Sequence, residues 1–323
     1  MTGREAEKKF NLIRLSLILA ALALCNAALA VLMPWYLVTR LGVGMETDAF
    51  FASGALPQLI FLVASSSLTQ VLVPILATEN EEDFRQDAWT LFLGITGLFS
   101  LIATILALST KYWIGLLVPG FAPEARQLAI SLSRIQLLSM IGNATIIVLW
   151  SVYFARQKFL WTEVSSIVAN AFALLFLFLT LPRYGIVSAA WAIVFNLGLK
   201  ILMLMPGLGR WQRPHWNSYT MTETWRRTKP FLLGQIYAKS EPLIDRFLTS
   251  LATPGSLSLL YIGQQIYSSI NIITGKAISN PSVPGLAIAF KAGALSKFRH
   301  IYRLRLVWML TVTIAAALVW RPV

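Results

Sequence analysis

The sequence has little charge, one cysteine and only two histidines. Of its 323 residues, 13% are charged and 57% are hydrophobic, whereas soluble domains contain about 25% charged residues. A soluble protein of this length would need more polar surface, so a soluble enzyme is excluded. A single cysteine excludes a fold held by intramolecular disulfides. Phosphate-binding loops, dinucleotide motifs and nucleophile elbows are also missing, which argues against any enzyme.

The sequence contains long runs of apolar residues. A helix of about 20 apolar residues crosses the hydrocarbon core of a bilayer, and nine such runs lie between clusters of charged residues. They predict an all-α, polytopic membrane protein with about nine transmembrane helices. The runs cover residues 13–38, 49–77, 88–109, 125–154, 159–181, 185–205, 230–251, 257–290 and 301–320.

The distribution of lysine and arginine predicts the orientation. With the N-terminus in the cytoplasm, 18 of the 27 basic residues fall in cytoplasmic segments and five in outside loops. Cytoplasmic loops of membrane proteins carry this excess of positive charge. The net charge of +13 is therefore explained by anchoring, and no nucleic-acid partner is expected.

The longest polar stretch, residues 209–229, separates six predicted spans from three. It divides the chain into an N-terminal part (1–208), a cytoplasmic linker (209–229) and a C-terminal part (230–323). Aromatic and basic residues alternate in the linker, which is typical of a segment lying on an anionic leaflet. Either it only connects two bundles or it also recognises lipid headgroups. These residues are Trp211, Trp216, Tyr219 and Trp225 with Arg210, Arg213, Arg226 and Arg227.

The seventh span has an unusual charge cluster. Lys239, Glu241, Asp245 and Arg246 lie within eight residues and include Pro242 between them. An ionisable side chain facing lipid is costly, so this segment must face protein or water. One interpretation is an internal salt-bridge cluster that fixes helix packing. The other is a site for a cation or a substrate headgroup, with Pro242 breaking the helix.

Polar side chains in three other spans mark a candidate cavity. Such residues line either helix–helix contacts or a water-filled space, and both interpretations stay open. They are Ser66 and Gln70 in the second span, Arg134 and Gln136 in the fourth, and Gln264, Gln265 and Lys276 in the eighth.

Seven short motifs follow one another along the sequence in the same order as in a known protein family. They are GVGMETDAFF at 42–51, LP at 56–57, QVLVPIL at 70–76, LVPGF at 117–121, FARQKF at 154–159, IDRFLTS at 244–250 and GSLSLLY at 255–261. Together with Pro284 further on, this set resembles the MurJ/MviN-type lipid-linked oligosaccharide flippases.

The resemblance implies a MATE-like fold of the MOP superfamily, with a six-helix N-lobe and an incomplete C-lobe of about three helices. It also implies a transporter that moves an undecaprenyl-diphosphate-linked glycan, either lipid II or an exopolysaccharide precursor, across the bacterial inner membrane by alternating access. A truncated, non-transporting homologue or a scaffold subunit of a cell-envelope glycan assembly complex is the alternative. Membrane lipid and cell-envelope biosynthesis proteins are the implied partners.

The resemblance assigns roles to polar residues of the predicted spans. It implies Na⁺ or H⁺ as a coupling ion, bound by Asp245 with Glu241, and no other metal or cofactor. Taken together, span polarity and the resemblance give these candidate substrate-cavity residues: Asp48, Ser66, Gln70, Arg134, Lys239, Gln264, Gln265 and Lys276.

The chain lacks positively charged residues at positions where members of the family have them. Residues 15–39 contain none of the family's first-helix arginines. Gln264 and Gln265 stand where the family has an Asp-Arg pair, and Lys276 or Lys239 offers a replacement cation. These changes favour a polyprenyl-linked glycan other than lipid II as the substrate.

Overall fold

The computed structural model describes residues 3–77, 81–216 and 219–274, together with isolated residues between 296 and 314. Regular structure in the three continuous ranges is helical. The helices are α1 (Gly3–Leu41), α2 (Met45–Ser53), α3 (Ala55–Ala77), α4 (Glu81–Leu108), α5 (Thr110–Leu117), α6 (Pro123–Ala155), α7 (Phe159–Tyr184), α8 (Ile186–Leu204), a 3-10 turn (Met205–Leu208), α9 (Tyr219–Lys239), α10 (Glu241–Ser250) and α11 (Ser256–Thr274).

Six helical stretches of the described residues are long and apolar enough to cross a membrane. They correspond to the first six predicted runs, so the all-α, multi-pass fold is confirmed. The total of nine stays a prediction, because much of the last two runs lies outside the described residues. The six stretches are Ala21–Leu41, Met45–Ala77, Asp83–Leu108, Pro123–Ala155, Phe159–Tyr184 and Ile186–Leu208.

The helix of the predicted seventh span is interrupted. α9 ends at Lys239 and α10 begins at Glu241, with Pro242 in the first turn of α10. Proline lacks a backbone N–H and is tolerated at a helix start, where that group has no helical partner. The break therefore lies inside the charge cluster.

The chain forms two compact units. One combines Met1–Val31 with Ile262–Val323, and the larger one is Leu32–Tyr261. The predicted division at 208/209 and 229/230 stays a prediction. All interactions described below lie within the larger unit.

Helix α6 forms the centre of the larger unit and packs against α2, α3, α4 and α8. In its first half, Ala129 and Leu132 are buried with apolar residues of α2, α5, α7 and α8. In its second half, Met140 and Ile147 are buried with residues of α3 and α4. Close van der Waals packing of this kind holds helices together in a membrane. One helix thus organises two apolar clusters.

The first part of the linker, residues 209–216, lies against α4. The Trp89 indole N–H donates to the Arg210 carbonyl oxygen (3.1 Å), and the Trp89 and Trp211 rings meet edge to face. The His215 amide donates to the Thr90 hydroxyl at 2.9 Å. These contacts support the connector interpretation, while Trp211 stays 59% exposed and available to the membrane surface.

The second part of the linker begins α9 with an ion-pair cluster. The Glu223 carboxylate pairs with Arg226 (2.7 Å) and Arg227 (2.6 Å). The hydrogen bond from Arg227, followed by the Arg226 interactions, holds the pKa of Glu223 below its ordinary value. The resulting stabilisation is present above the pKa of the unfolded chain and is lost as the pH falls through the lower folded pKa.

Replacing Gly120 by alanine will destabilise the larger unit. An ideal Cβ at Gly120 would lie 2.0 Å from the Ser250 carbonyl oxygen, a backbone atom that cannot move cheaply. We expect Gly120→Ala to lower the free energy of unfolding by about 1–3 kcal/mol, measured by thermal unfolding in detergent. Gly115→Ala in α5 is the control, because its Cβ would enter open space. Equal melting midpoints for the two variants would contradict the described contact.

Candidate functional site

The turn between α1 and α2 is fixed by glycine and threonine. Gly42 has a φ of 79°, a conformation that side-chain-bearing residues rarely adopt. The Thr47 hydroxyl accepts from the Gly44 amide (3.1 Å) and lies 3.0 Å from the Gly44 carbonyl oxygen. This arrangement sets the start of α2, and with it the direction of the following residue, Asp48.

The Asp48 carboxylate caps the start of α11. It accepts hydrogen bonds from the Gly255 amide (2.6 Å), the Ser258 amide (2.8 Å) and the Ser258 hydroxyl. The first amides of a helix have no helical acceptor and carry partial positive charge. Asp48 is only 4% exposed. Its buried carboxylate accepts hydrogen bonds from the amides at the start of α11, and these amides in turn stabilise the carboxylate.

The end of α2 is held on α6 by a buried amide. The Gln136 side-chain NH₂ donates to the Phe50 carbonyl oxygen (3.0 Å) and to the Ser53 hydroxyl (2.7 Å). The Ser133 hydroxyl donates to the Ser53 carbonyl oxygen at 3.1 Å. A Cβ at Gly54 would lie 2.2 Å from the Gln136 side-chain oxygen. Glycine at this position therefore allows the amide to approach.

A cavity of about 230 Å³ opens beside this amide. Its residues come from α2, α3, α6, α8 and the start of α11. Its lining combines amide, hydroxyl and phenol groups with aromatic rings. The lining consists of Phe50, Phe51, Gly54, Pro57, Gln58, Phe61, Gln136, Ser139, Asn143, Ile193 and Tyr261.

Arg246 brings a buried positive charge to the edge of this cavity. One guanidinium nitrogen donates to the Gln58 side-chain oxygen (3.1 Å) and another to the Pro242 carbonyl oxygen (3.2 Å). Arg246 also interacts electrostatically with Tyr261 and Asp245, and it is 5% exposed. A buried charge is costly unless it is paired and hydrogen-bonded, and guanidinium matches the oxygens of a phosphate or carboxylate. The site is therefore suited to an anionic group surrounded by hydroxyls.

The stacked rings of Phe51 and Tyr261 form the aromatic part of the lining. Their centroids are 4.1 Å apart and their planes are 17° from parallel. The stack joins α2 to the first turns of α11 next to the Arg246 guanidinium. Aromatic rings together with a few polar groups are the usual lining of a ligand pocket.

Gln136, which the sequence indicated as a possible cavity residue, lines the cavity beside Arg246. Four other predicted residues of the larger unit lie elsewhere. Asp48 lines a separate cavity of about 180 Å³, and Gln70 and Arg134 are exposed. Lys239 is half-buried at the end of α9. The structure does not bring these four residues to the cavity beside Arg246, and their predicted roles stay predictions.

The remaining predicted residues are distributed over three regions. In α10, Glu241 is exposed and Asp245 is half-buried beside Arg246. Gln264 and Gln265 are half-buried in the part of α11 that belongs to the smaller unit. The Ser66 side chain and all of Lys276 lie outside the described residues.

Gln58 and Asn143 were missed as candidates, whereas Arg246 was part of the charge cluster that the sequence indicated as a possible headgroup site. Gln58 and Asn143 are two of several polar residues in the otherwise apolar helices α3 and α6, and no local pattern separates them from packing residues. Their role follows only from the cavity that they share.

Comparisons with known proteins agree with this fold. The family model described as lipid II flippase MurJ matches residues 37–320. A curated relative, the probable lipid II flippase MurJ of Buchnera aphidicola subsp. Acyrthosiphon pisum (strain APS), is 24% identical over 95% of this chain. That match covers 62% of the relative, so the chain spans about three fifths of its length.

Two solved structures show the same architecture. A lipid II flippase MurJ in an inward closed conformation matches 84% of this chain and 58% of its own, with a TM-score of 0.70 and 17% identity. An inward-facing multidrug resistance MATE family transporter of the MOP superfamily matches 91% of this chain and 68% of its own, with a TM-score of 0.63 and 14% identity. The MATE-like fold is therefore confirmed.

Neutralising the Asp48 cap will weaken the fold. Asp48→Asn keeps the shape but removes the charge that faces the α11 amides. We expect a loss of about 1–2 kcal/mol in the free energy of unfolding, seen as a lower thermal midpoint in detergent. Glu46→Gln is the matched control, because Glu46 lies in the same first turn and is exposed. If both variants melt at the same temperature, the cap contributes nothing.

Proposed function

The chain belongs to the lipid II flippase MurJ family, whose model matches residues 37–320, and on this premise we propose that it moves a polyprenyl-diphosphate-linked glycan across the bacterial inner membrane. The family match carries the proposal. The MATE-like fold supports alternating access, in which a central site opens to one side of the membrane at a time. No covalent chemistry is needed for such a step.

The cavity beside Arg246 supports a diphosphate headgroup as the cargo. Charge-assisted hydrogen bonds from guanidinium to phosphate oxygens are among the strongest in proteins. The amides of Gln58, Gln136 and Asn143 and the Ser139 hydroxyl suit sugar hydroxyls. Arg246 thus supplies a cation in a chain whose Gln264-Gln265 pair lacks the arginine of the family pattern.

The finer features of transport belong to the same proposal. Lipid II and exopolysaccharide precursors share the diphosphate that Arg246 would bind, so both stay candidate substrates. Asp245 lies beside Arg246 and, with Glu241, is the candidate acceptor for a coupling Na⁺ or H⁺. The lysine and arginine distribution supports a cytoplasmic N-terminus.

Replacing Arg246 will impair transport. In liposomes that contain a fluorescent polyprenyl-diphosphate sugar, we expect the wild type to move the lipid between leaflets. Arg246→Gln should slow this movement by about tenfold or more, because a charge-assisted contact to phosphate contributes about 1.5–3 kcal/mol. Arg183→Gln is the control: it removes one exposed positive charge at the end of α7 and should leave the rate unchanged.

Arg246→Lys separates a role in binding from a role in folding. It keeps the charge but loses the planar fork of donors, so an intermediate rate is expected if the guanidinium binds phosphate. Full activity of a folded Arg246→Gln protein would exclude this role. A folded wild-type protein that binds the lipid without moving it would instead support the scaffold-subunit alternative.

A further inference from the structure

A further polar pocket lies where α6 ends and α7 begins, and it shares no lining residue with the cavity beside Arg246. Its volume is about 290 Å³. Three of its nine lining residues are cations, and no acidic side chain of the described residues lines it. The lining consists of Arg85, Val152, Tyr153, Arg156, Lys158, Pro206, Gly207, Leu208 and Gly209. We name it the basic pocket.

The floor of the basic pocket is closely packed. Val152 and Leu208 are buried, and the Tyr153 ring covers Gly207. A Cβ at Gly207 would lie 2.3 Å from that ring, so glycine is needed for the ring to lie there. Part of the pocket lining is therefore a fixed, well-packed region of the fold.

The two arginines are held in place by the fold. The Arg156 guanidinium lies over the Phe84 ring, 4.1 Å from its centroid. The aliphatic part of Arg85 lies about 3.6 Å from where a Cβ of Gly209 would be. Both arginines also interact with other groups of the chain. Side chains restrained in this way lose less conformational freedom when they bind a ligand.

The position of the basic pocket matches the level of lipid headgroups. Arg85 lies near the start of the span Asp83–Leu108, and Arg156 directly follows the span Pro123–Ala155. The lysine and arginine distribution predicts this end of the spans to be cytoplasmic, where anionic lipids attract basic residues.

We infer that the basic pocket binds the phosphate of an anionic ligand at the membrane surface. Arg85 and Arg156 provide guanidinium forks, and Lys158 adds a flexible ammonium group at the rim. The phosphate belongs either to an anionic phospholipid headgroup or to a soluble phosphate ester. This site is separate from the cavity beside Arg246 and does not depend on the proposed transport.

Binding to the full chain tests the inference. The protein is purified in neutral detergent and titrated with phosphatidylglycerol or with glycerol 3-phosphate, and bound ligand is counted by native mass spectrometry. We expect saturable binding of one of the two probes. In the variant R85Q/R156Q/K158Q this binding should weaken by about tenfold or more, because three basic side chains that attract an anionic headgroup are removed together.

A matched triple variant distinguishes a site from diffuse charge. Arg210, Arg213 and Lys229 are exposed basic residues of the linker, and R210Q/R213Q/K229Q removes the same charge from the same predicted side. It should bind the probe as the wild type does. An equal loss in both triple variants would overturn the site, and so would absence of saturable binding by either probe.

A single substitution at an exposed position tests the inference even if the triple variant does not fold. Lys158 lies outside the helices and is exposed, so Lys158→Gln leaves the packed floor intact. A severalfold weaker affinity in this variant is expected. Unchanged affinity in both this variant and the triple variant would overturn the inference. Saturation by phosphatidylglycerol alone identifies a lipid site, and saturation by glycerol 3-phosphate alone identifies a soluble ligand.

Discussion

Backbone groups at a helix end need hydrogen-bond partners wherever water is excluded, and the larger unit meets this constraint at the start of α11 with one carboxylate. The Asp48 carboxylate accepts hydrogen bonds from the Gly255 and Ser258 amides at the start of α11. Left without an acceptor in an apolar environment, such groups would cost several kcal/mol. Because the carboxylate belongs to α2, this short helix and the start of α11 hold a fixed position. The stacking of Phe51 on Tyr261 depends on that position.

The position of α2 in turn decides where the polar cavity forms. Gln136 holds the end of α2 on α6, and Gly54 leaves room for the amide. The remaining space is lined by aromatic rings together with amide and hydroxyl groups. Arg246 enters from the interrupted helix, where Pro242 allows a new helix to begin inside a charge cluster. One backbone constraint and one helix break thus place a cation beside hydrogen-bonding groups, which is the arrangement on which the proposed binding of a diphosphate rests.

The predictions from sequence succeeded where the signal is local. The first six apolar runs correspond to six spans, the seventh is broken at its charge cluster, and the short motifs indicated the family. The candidate site was harder to predict. Gln70 and Arg134 were predicted in a cavity and do not line the one beside Arg246, because the polarity of a residue does not reveal which way its helix is turned. Asp48 was expected as a cavity residue and also caps a helix 207 positions away.

The sequence by itself determined the membrane class, the helical spans and the family, because hydropathy accumulates over about 20 consecutive residues and motifs are contiguous. The tertiary structure alone decided which polar side chains meet. Arg246 and Gln58 are 188 positions apart, and their contact depends on how α3, α6 and α10 are rotated and packed. Those rotations follow from the interlocking of many distant side chains and from the need to satisfy each buried polar group. No short stretch of sequence contains that information.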